Sequence, residues 1–109
     1  MKKAKALPEE VRAELIRIGE GIRIARIRRR MTQRELAERA GTTFHTIRNV
    51  EHGAPGTSVG FYLNTLWVLG LFEDVRLLAD PNRDREGLIR EAAERNRIAR
   101  SAGIMSRDF

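Results

Sequence analysis

Within the stretch TQRELAERAGTTFHTIRNVEHG, residues 32–53, four side chains are suited to touching nucleotides: Phe44, His45, Arg48 and Asn49. Arg48 can make a bidentate contact to guanine N7 and O6, and Asn49 can do the same to adenine N6 and N7. His45 can donate to a purine acceptor or to a phosphate. Phe44 offers no side-chain hydrogen bond, so it would pack on a thymine methyl group. Other chemistries are poorly served. The chain has no cysteine and only 2 histidines, no glycine-rich phosphate loop and no nucleophile–base–acid set. His45 and His52, with Glu51 nearby, supply too few convergent ligands for a metal. The sequence implies no enzyme activity, no metal and no cofactor.

The elements that must position these four residues are legible locally. Thr32 and Glu35 form a T-x-x-E helix start, in which the threonine accepts from a free backbone N–H and the glutamate reaches back to the N–H of the cap. Leu36, Ala37 and Ala40 follow as an apolar stripe at helical spacing. Gly41 then marks a left-handed turn residue. Thr43 caps a second helix, whose Ile47 and Val50 point inward and which Gly53 closes. Phe44, His45, Arg48 and Asn49 are thereby left outward, with Thr46 partly so. Two short helices joined by a tight glycine turn form the unit that places a helix in the DNA major groove. The competing readings are plainer: Phe44 turned into the core, Asn49 as an ordinary surface residue, and Gln33 as a polar residue at a helix start.

Charge distribution points the same way. The 109-residue chain carries a formal net charge of +6. Residues 1–53 hold 13 Lys+Arg against 7 Asp+Glu, whereas residues 54–109 hold 8 of each. All excess positive charge therefore lies in the half with the two-helix unit, as expected of a DNA-facing half and a neutral partner-facing half. A solvated basic surface is the bland alternative. With 41% apolar and 33% charged residues, the chain reads as a helix-rich globule. The absence of cysteine fits a cytoplasmic protein. The longest apolar stretch, residues 59–72, is broken by Gly60, Asn64, Thr65 and Gly70, too short for a bilayer of ~30 Å. The basic start MKKAKAL lacks a signal-peptide core.

Around the unit, helical spacing of Val11, Leu15, Ile18, Ile22 and Ala25 predicts a first helix over about 9–30, with a break near Gly19 as the alternative. Arg28, Arg29 and Arg30 end it, where they favour the helix dipole and also lie where a DNA backbone would pass. After the turn Ala54-Pro55-Gly56, Thr57 or Ser58 caps a fourth helix to about Leu69. Tyr62, Leu66 and Leu69 should pack on the two-helix unit. Leu63, Trp67 and Phe72 form a second apolar face, read as a subunit interface, the alternative being that Trp67 covers the domain's own core or is roofed by the tail. Residues 73–79 read as a short fifth helix stopped by Asp80-Pro81-Asn82. The domain so defined spans residues 1–79. Residues 80–109 form a tail, helical from Glu86 to about Arg100, that serves as a dimer or partner contact or frays, with residues through Phe109 lacking fixed structure.

The patterns T-Q-x-E-L-A-x-x-A-G and T-x-x-T-I-x-x-x-E-x-G, with Arg26 six residues before Thr32, resemble the helix-turn-helix of Xre/Cro-type transcriptional regulators of bacteria and phages. The resemblance covers residues 23–71. It implies an all-α, five-helix lambda-repressor-like DNA-binding domain with a helical C-terminal extension. It further implies a repressor that binds a palindromic double-stranded operator as a homodimer. By resemblance Phe44, His45 and Asn49 match base-reading positions, while the family position of Arg48 often faces the backbone. Gln33 matches a residue that grips phosphate and supports the reading helix, and Thr43 matches a phosphate contact. Thr32 and Thr46, with Arg28 and Arg29, complete the phosphate-binding set. Arg26 is implied to pair with Glu51, either buried or as a surface pair. Phe44 departs from the family, where a polar residue such as glutamine is common. The later segment LGLFEDVRLLADPNRDREGL also resembles HipB-like antitoxins, which implies a HipA-like kinase toxin as an alternative partner.

Overall fold

The computed structural model describes residues 6–106. Among them the chain is all-helical, with five α-helices and no strand. They are α1 (Glu9–Arg28), α2 (Gln33–Arg39), α3 (Phe44–Glu51), α4 (Val59–Val68) and α5 (Arg85–Ser106). Two 3-10 segments, Glu73–Leu77 and Pro81–Arg83, lie between α4 and α5. The chain divides into two compact units, the first ending at Val75 and the second beginning at Arg76.

In the first unit α1 to α4 surround one core. Ile22 and Ala25 of α1, Met31 before α2, Leu36 and Ala37 of α2, Ala40 after it, Ile47 and Val50 of α3, Tyr62 of α4 and Leu69 after it are buried. Leu15, Ile18, Leu66 and Val68 pack against them. The burial repeats every three or four residues, as expected of helices that each turn an apolar stripe to a common core. No buried side-chain polar atom among the described residues lacks a hydrogen-bond partner. Asn64 Nδ2 donates to the Ala40 carbonyl at 2.6 Å, which satisfies an acceptor at the end of α2 from α4. The Tyr62 hydroxyl donates to the Ala54 carbonyl at 3.0 Å, and burial pushes its pKa above the ordinary tyrosine range.

α1 is continuous through Gly19, because that glycine is a packing site and not a break. A Cβ there would lie 2.6 Å from the Val50 carbonyl oxygen and 2.7 Å from that of Glu51. Gly53 makes the reciprocal approach, with φ +70 and an added Cβ falling 2.7 Å from backbone atoms of Leu15 and Ile16. α1 and the end of α3 thus meet backbone to backbone, at a distance that only glycine permits.

Four helix ends share one geometry. In each, a residue past the end takes a positive φ and two backbone N–H groups fold back: Met31 N–H to the Arg26 carbonyl, Thr42 to Ala37, Ala54 to Asn49 and Leu71 to Leu66. The positive-φ residues are Arg30, Gly41, Gly53 and Gly70. This closes the carbonyls that a helix leaves open. α1 consequently ends at Arg28, earlier than the expected Arg30, because Arg30 is the left-handed residue itself.

The region after α4 departs from expectation. Residues 73–79 form a 3-10 segment over Glu73–Leu77 in place of a fifth α-helix, with Leu77 and Leu78 exposed. Asp80 caps the next turn by accepting from the Asn82 N–H at 2.9 Å. The first compact unit ends at Val75, within the 3-10 segment Glu73–Leu77. α5 runs on to Ser106, past Arg100, and residues 107–109 of the tail lie outside the described residues. Among those it has described, α5 buries no side chain and carries the ion pairs Arg90–Glu86, Arg95–Glu91 and Arg97–Glu94 along its length. No helix among the described residues is long and apolar enough to cross a membrane.

Candidate nucleic-acid interface

α3 is fixed from three sides. At its start the Thr43 hydroxyl accepts from the Thr46 N–H at 3.1 Å. On its inner face Ile47 and Val50 are fully buried. At its end Glu51, 5% exposed, is held in a polar cluster that reaches back to α1 and α2. Arg26 Nε donates to Glu51 Oε2 at 2.6 Å and Arg26 Nη2 to Oε1 at 3.1 Å, a bidentate pair. Gln33 Nε2 donates to the same Oε1 at 3.0 Å, and Arg26 Nη1 donates to the Met31 carbonyl at 2.8 Å. One guanidinium therefore ties together α1, the turn before α2 and the end of α3. The pair is buried, so the surface-pair alternative for Arg26 and Glu51 does not hold.

With that inner face fixed, the outer face is defined. His45 and Arg48 are exposed, and Phe44, Thr46 and Asn49 are half-buried. Residues 44, 45, 48 and 49 fall on one side of α3 at helical spacing. Phe44 does not belong to the core. Its ring lies beneath the Arg34 guanidinium, whose central carbon is 4.8 Å from the ring centroid. Sequence reasoning missed this contact. Arg34 and Phe44 are ten residues apart and meet only because the turn at Gly41, φ +65, brings the start of α2 beside the start of α3. Nothing in the local spacing of either residue signals it.

The residues grouped as phosphate-binding fall into two sets. Arg28 and Arg29 are both exposed, yet Arg29 Nη1 also donates to the Ala25 carbonyl at 2.8 Å and so covers the end of α1. The hydroxyls are partly committed. Thr32 Oγ1 accepts from the Glu35 N–H at 3.1 Å and donates to Glu35 Oε1 at 3.2 Å. The glutamate thus meets the cap's hydroxyl, where the sequence pattern pointed to the cap's backbone N–H. Thr43 and Thr46 hydroxyls lie 3.0 Å apart, and one hydrogen joins them. Two hydroxyls carry two donors, so one donor of the pair is left for an outside acceptor. Gln33 spends one amide N–H on Glu51 and keeps a second.

The proposed interface residues of α4 and beyond are not equivalent. Trp67 is 64% exposed and stands outside the core. Leu63 and Phe72 are half-buried. Val59 and Phe61, at the start of α4, are also exposed. Trp67 therefore does not cover the domain's own core.

No protein-family model, no curated protein and no solved structure matches the chain.

Proposed function

We propose that this protein is a sequence-specific double-stranded DNA-binding transcriptional repressor with a lambda-repressor-like helix-turn-helix, of the Xre/Cro type. The observation that carries the reading is the two-sidedness of α3. Its inner face is locked by Ile47, Val50 and the buried Arg26–Glu51–Gln33 cluster, while Arg48, Asn49, His45 and Phe44 share the outer one. A rigid short helix presenting a bidentate arginine and a carboxamide is what readout of base edges in the major groove requires. The basic excess of residues 1–53 supports it, since phosphate attraction supplies most of the affinity of such proteins.

The mechanism follows from those groups. α3 enters the major groove. Asn49 pairs with an adenine edge and Arg48 with a guanine edge or the backbone, while Arg28, Arg29, Gln33, Thr43 and Thr46 hold phosphates and fix the register. A homodimer, joined through the exposed face around Trp67 with Leu63 and Phe72, would set two reading helices about one turn of DNA (~34 Å) apart on a palindromic site. Occlusion of a promoter would then repress transcription. The test is selection of binding sites from random duplex DNA with wild type and Asn49→Ala. The variant is expected to lose about 1–3 kcal/mol of discrimination at one base pair per half-site. Recovery of no preferred sequence by the wild type, or an unchanged preference in the variant, refutes the reading.

A further inference from the structure

Arg34 stands at the second position of α2 with Glu38 four residues on, the spacing at which Arg90–Glu86 and Arg95–Glu91 pair in α5. Arg34 forms no such ion pair among the described residues. Its guanidinium instead lies over the Phe44 ring. A guanidinium over an aromatic face is attracted to the ring and restrains it, and its N–H donors stay available to other acceptors. Phe44 is only half-buried, at the first position of α3, so this restraint acts on an apolar group on the outer face of that helix.

We infer that Arg34 and Phe44 act together as a detector of the C5-methyl group of a pyrimidine, with Phe44 touching the methyl and Arg34 as the positioning residue. The inference rests on the DNA-binding reading and adds to it the second residue, Arg34, and recognition of the methyl group on either pyrimidine that carries it. In the major groove a 5-methyl is the one apolar feature of a base edge, and thymine carries it. An aromatic side chain there gains nothing from a hydrogen-bonding edge and gains apolar contact from a methyl. A ring free to rotate would present that surface only part of the time. The guanidinium over it keeps the ring in place, and its N–H donors suit an adjacent phosphate oxygen. 5-Methylcytosine carries the same methyl group as thymine, and uracil is thymine without it.

The test uses the full chain and its selected operator duplex. Each thymine is replaced in turn by deoxyuridine, which removes a methyl and leaves base pairing unchanged. Wild type is expected to weaken about fourfold at one thymine position per half-site, the loss of one buried methyl contact. At that position a cytosine opposite guanine should bind more tightly once methylated at C5. Phe44→Gln should bind the thymine and uracil duplexes equally. Arg34→Lys, which keeps the charge without the planar group, should retain its salt dependence and lose most of the discrimination between them. Far-ultraviolet circular dichroism confirms that the variants are folded, and the wild-type measurement needs no variant at all. A selected operator at which uracil is tolerated everywhere, or a uracil effect unchanged in Phe44→Gln, overturns the inference and leaves the DNA-binding reading standing. Failure to select any sequence overturns both.

Discussion

Arg26 and Glu51 meet across 25 residues of sequence, with side chains 12% and 2% exposed. The arginine–glutamate pairs of α5 join residues three or four apart on one helix, with side chains between 56% and 78% exposed. The residue types are the same and the physics is different. On α5 both partners are already hydrated, water and salt screen their attraction, and each pair favours only the local helix. Hydrogen bonding from Arg97 draws the Glu94 carboxyl below its usual range, but on a fully solvated surface. Glu51 has instead been removed from water. Its carboxylate is tolerable there only because Arg26 and Gln33 satisfy it. The buried cluster therefore specifies where three chain segments sit, whereas the α5 pairs specify only that a segment is helical.

The sharpest way to break this contrast is Glu51→Gln. It keeps the volume and leaves Arg26 as an uncompensated buried charge. The expected cost is about 3–5 kcal/mol, a large part of the ~5–15 kcal/mol that holds a typical domain together. Urea unfolding followed by circular dichroism measures it. Glu86→Gln, its exposed counterpart on α5, should leave the main transition where it is. The double variant Arg26→Met with Glu51→Leu should recover most of the loss, because a buried pair replaced by apolar groups is often neutral. If Glu51→Gln costs no more than Glu86→Gln, the contrast between buried and exposed pairs is wrong.

A second comparison lies within α1, between two glycines two residues apart. Gly19 faces α3, where a Cβ would press on backbone oxygens that cannot move aside, and Gly21 has nothing within 4 Å of an added Cβ. Gly19→Ala is expected to cost about 1–3 kcal/mol or more by forcing the two helices apart. Gly21→Ala should stabilise by roughly 0.5–1 kcal/mol, because the residue gives up glycine's extra freedom in the unfolded chain and strains nothing. Thermal melts of the two variants should move in opposite directions. Shifts of the same sign would show that the close approach of α1 to the end of α3 is not what Gly19 serves.

These contrasts also mark what could be read from the chain and what could not. Thr32 and Thr43 as caps, Ser58 as one of two candidate caps, Gly41 as a left-handed residue and Gly53 as a helix stop were legible because cap chemistry is local: the partner of each lies within a few residues. The outward set on α3 was legible for a similar reason, since the inward Ile47 and Val50 define its complement. Gly19 and Arg34 were not, because their roles are set by atoms of another helix. The 3-10 form of Glu73–Leu77 was missed for a related reason. Val75, Leu77 and Leu78 have helical spacing, yet Leu77 and Leu78 find no core to bury them, and Pro81 stops the chain soon afterwards. Gln33 was read both as a phosphate contact and as a support, and its bond to Glu51 at 3.0 Å supplies the support.

A small expected effect, at Arg30, is the most informative about function. Of the four helix ends closed by the same backbone pattern, three use glycine and the fourth uses Arg30 at φ 53. A left-handed conformation costs a non-glycine residue roughly 1–2 kcal/mol, part of which glycine would offset with its own greater loss of freedom on folding. Arg30→Gly should therefore stabilise the fold by about 1 kcal/mol. A side chain kept against that cost, exposed and directly before α2, points to a use outside the fold, and in the proposed interface that use is a phosphate contact. The same substitution should then weaken binding to all duplexes alike and reduce the slope of log affinity against log salt by about one phosphate. Stability and affinity should move in opposite directions in this one variant. A more stable protein with an unaltered salt slope would remove Arg30 from the interface, and a less stable one would show that its side chain is needed by the fold itself.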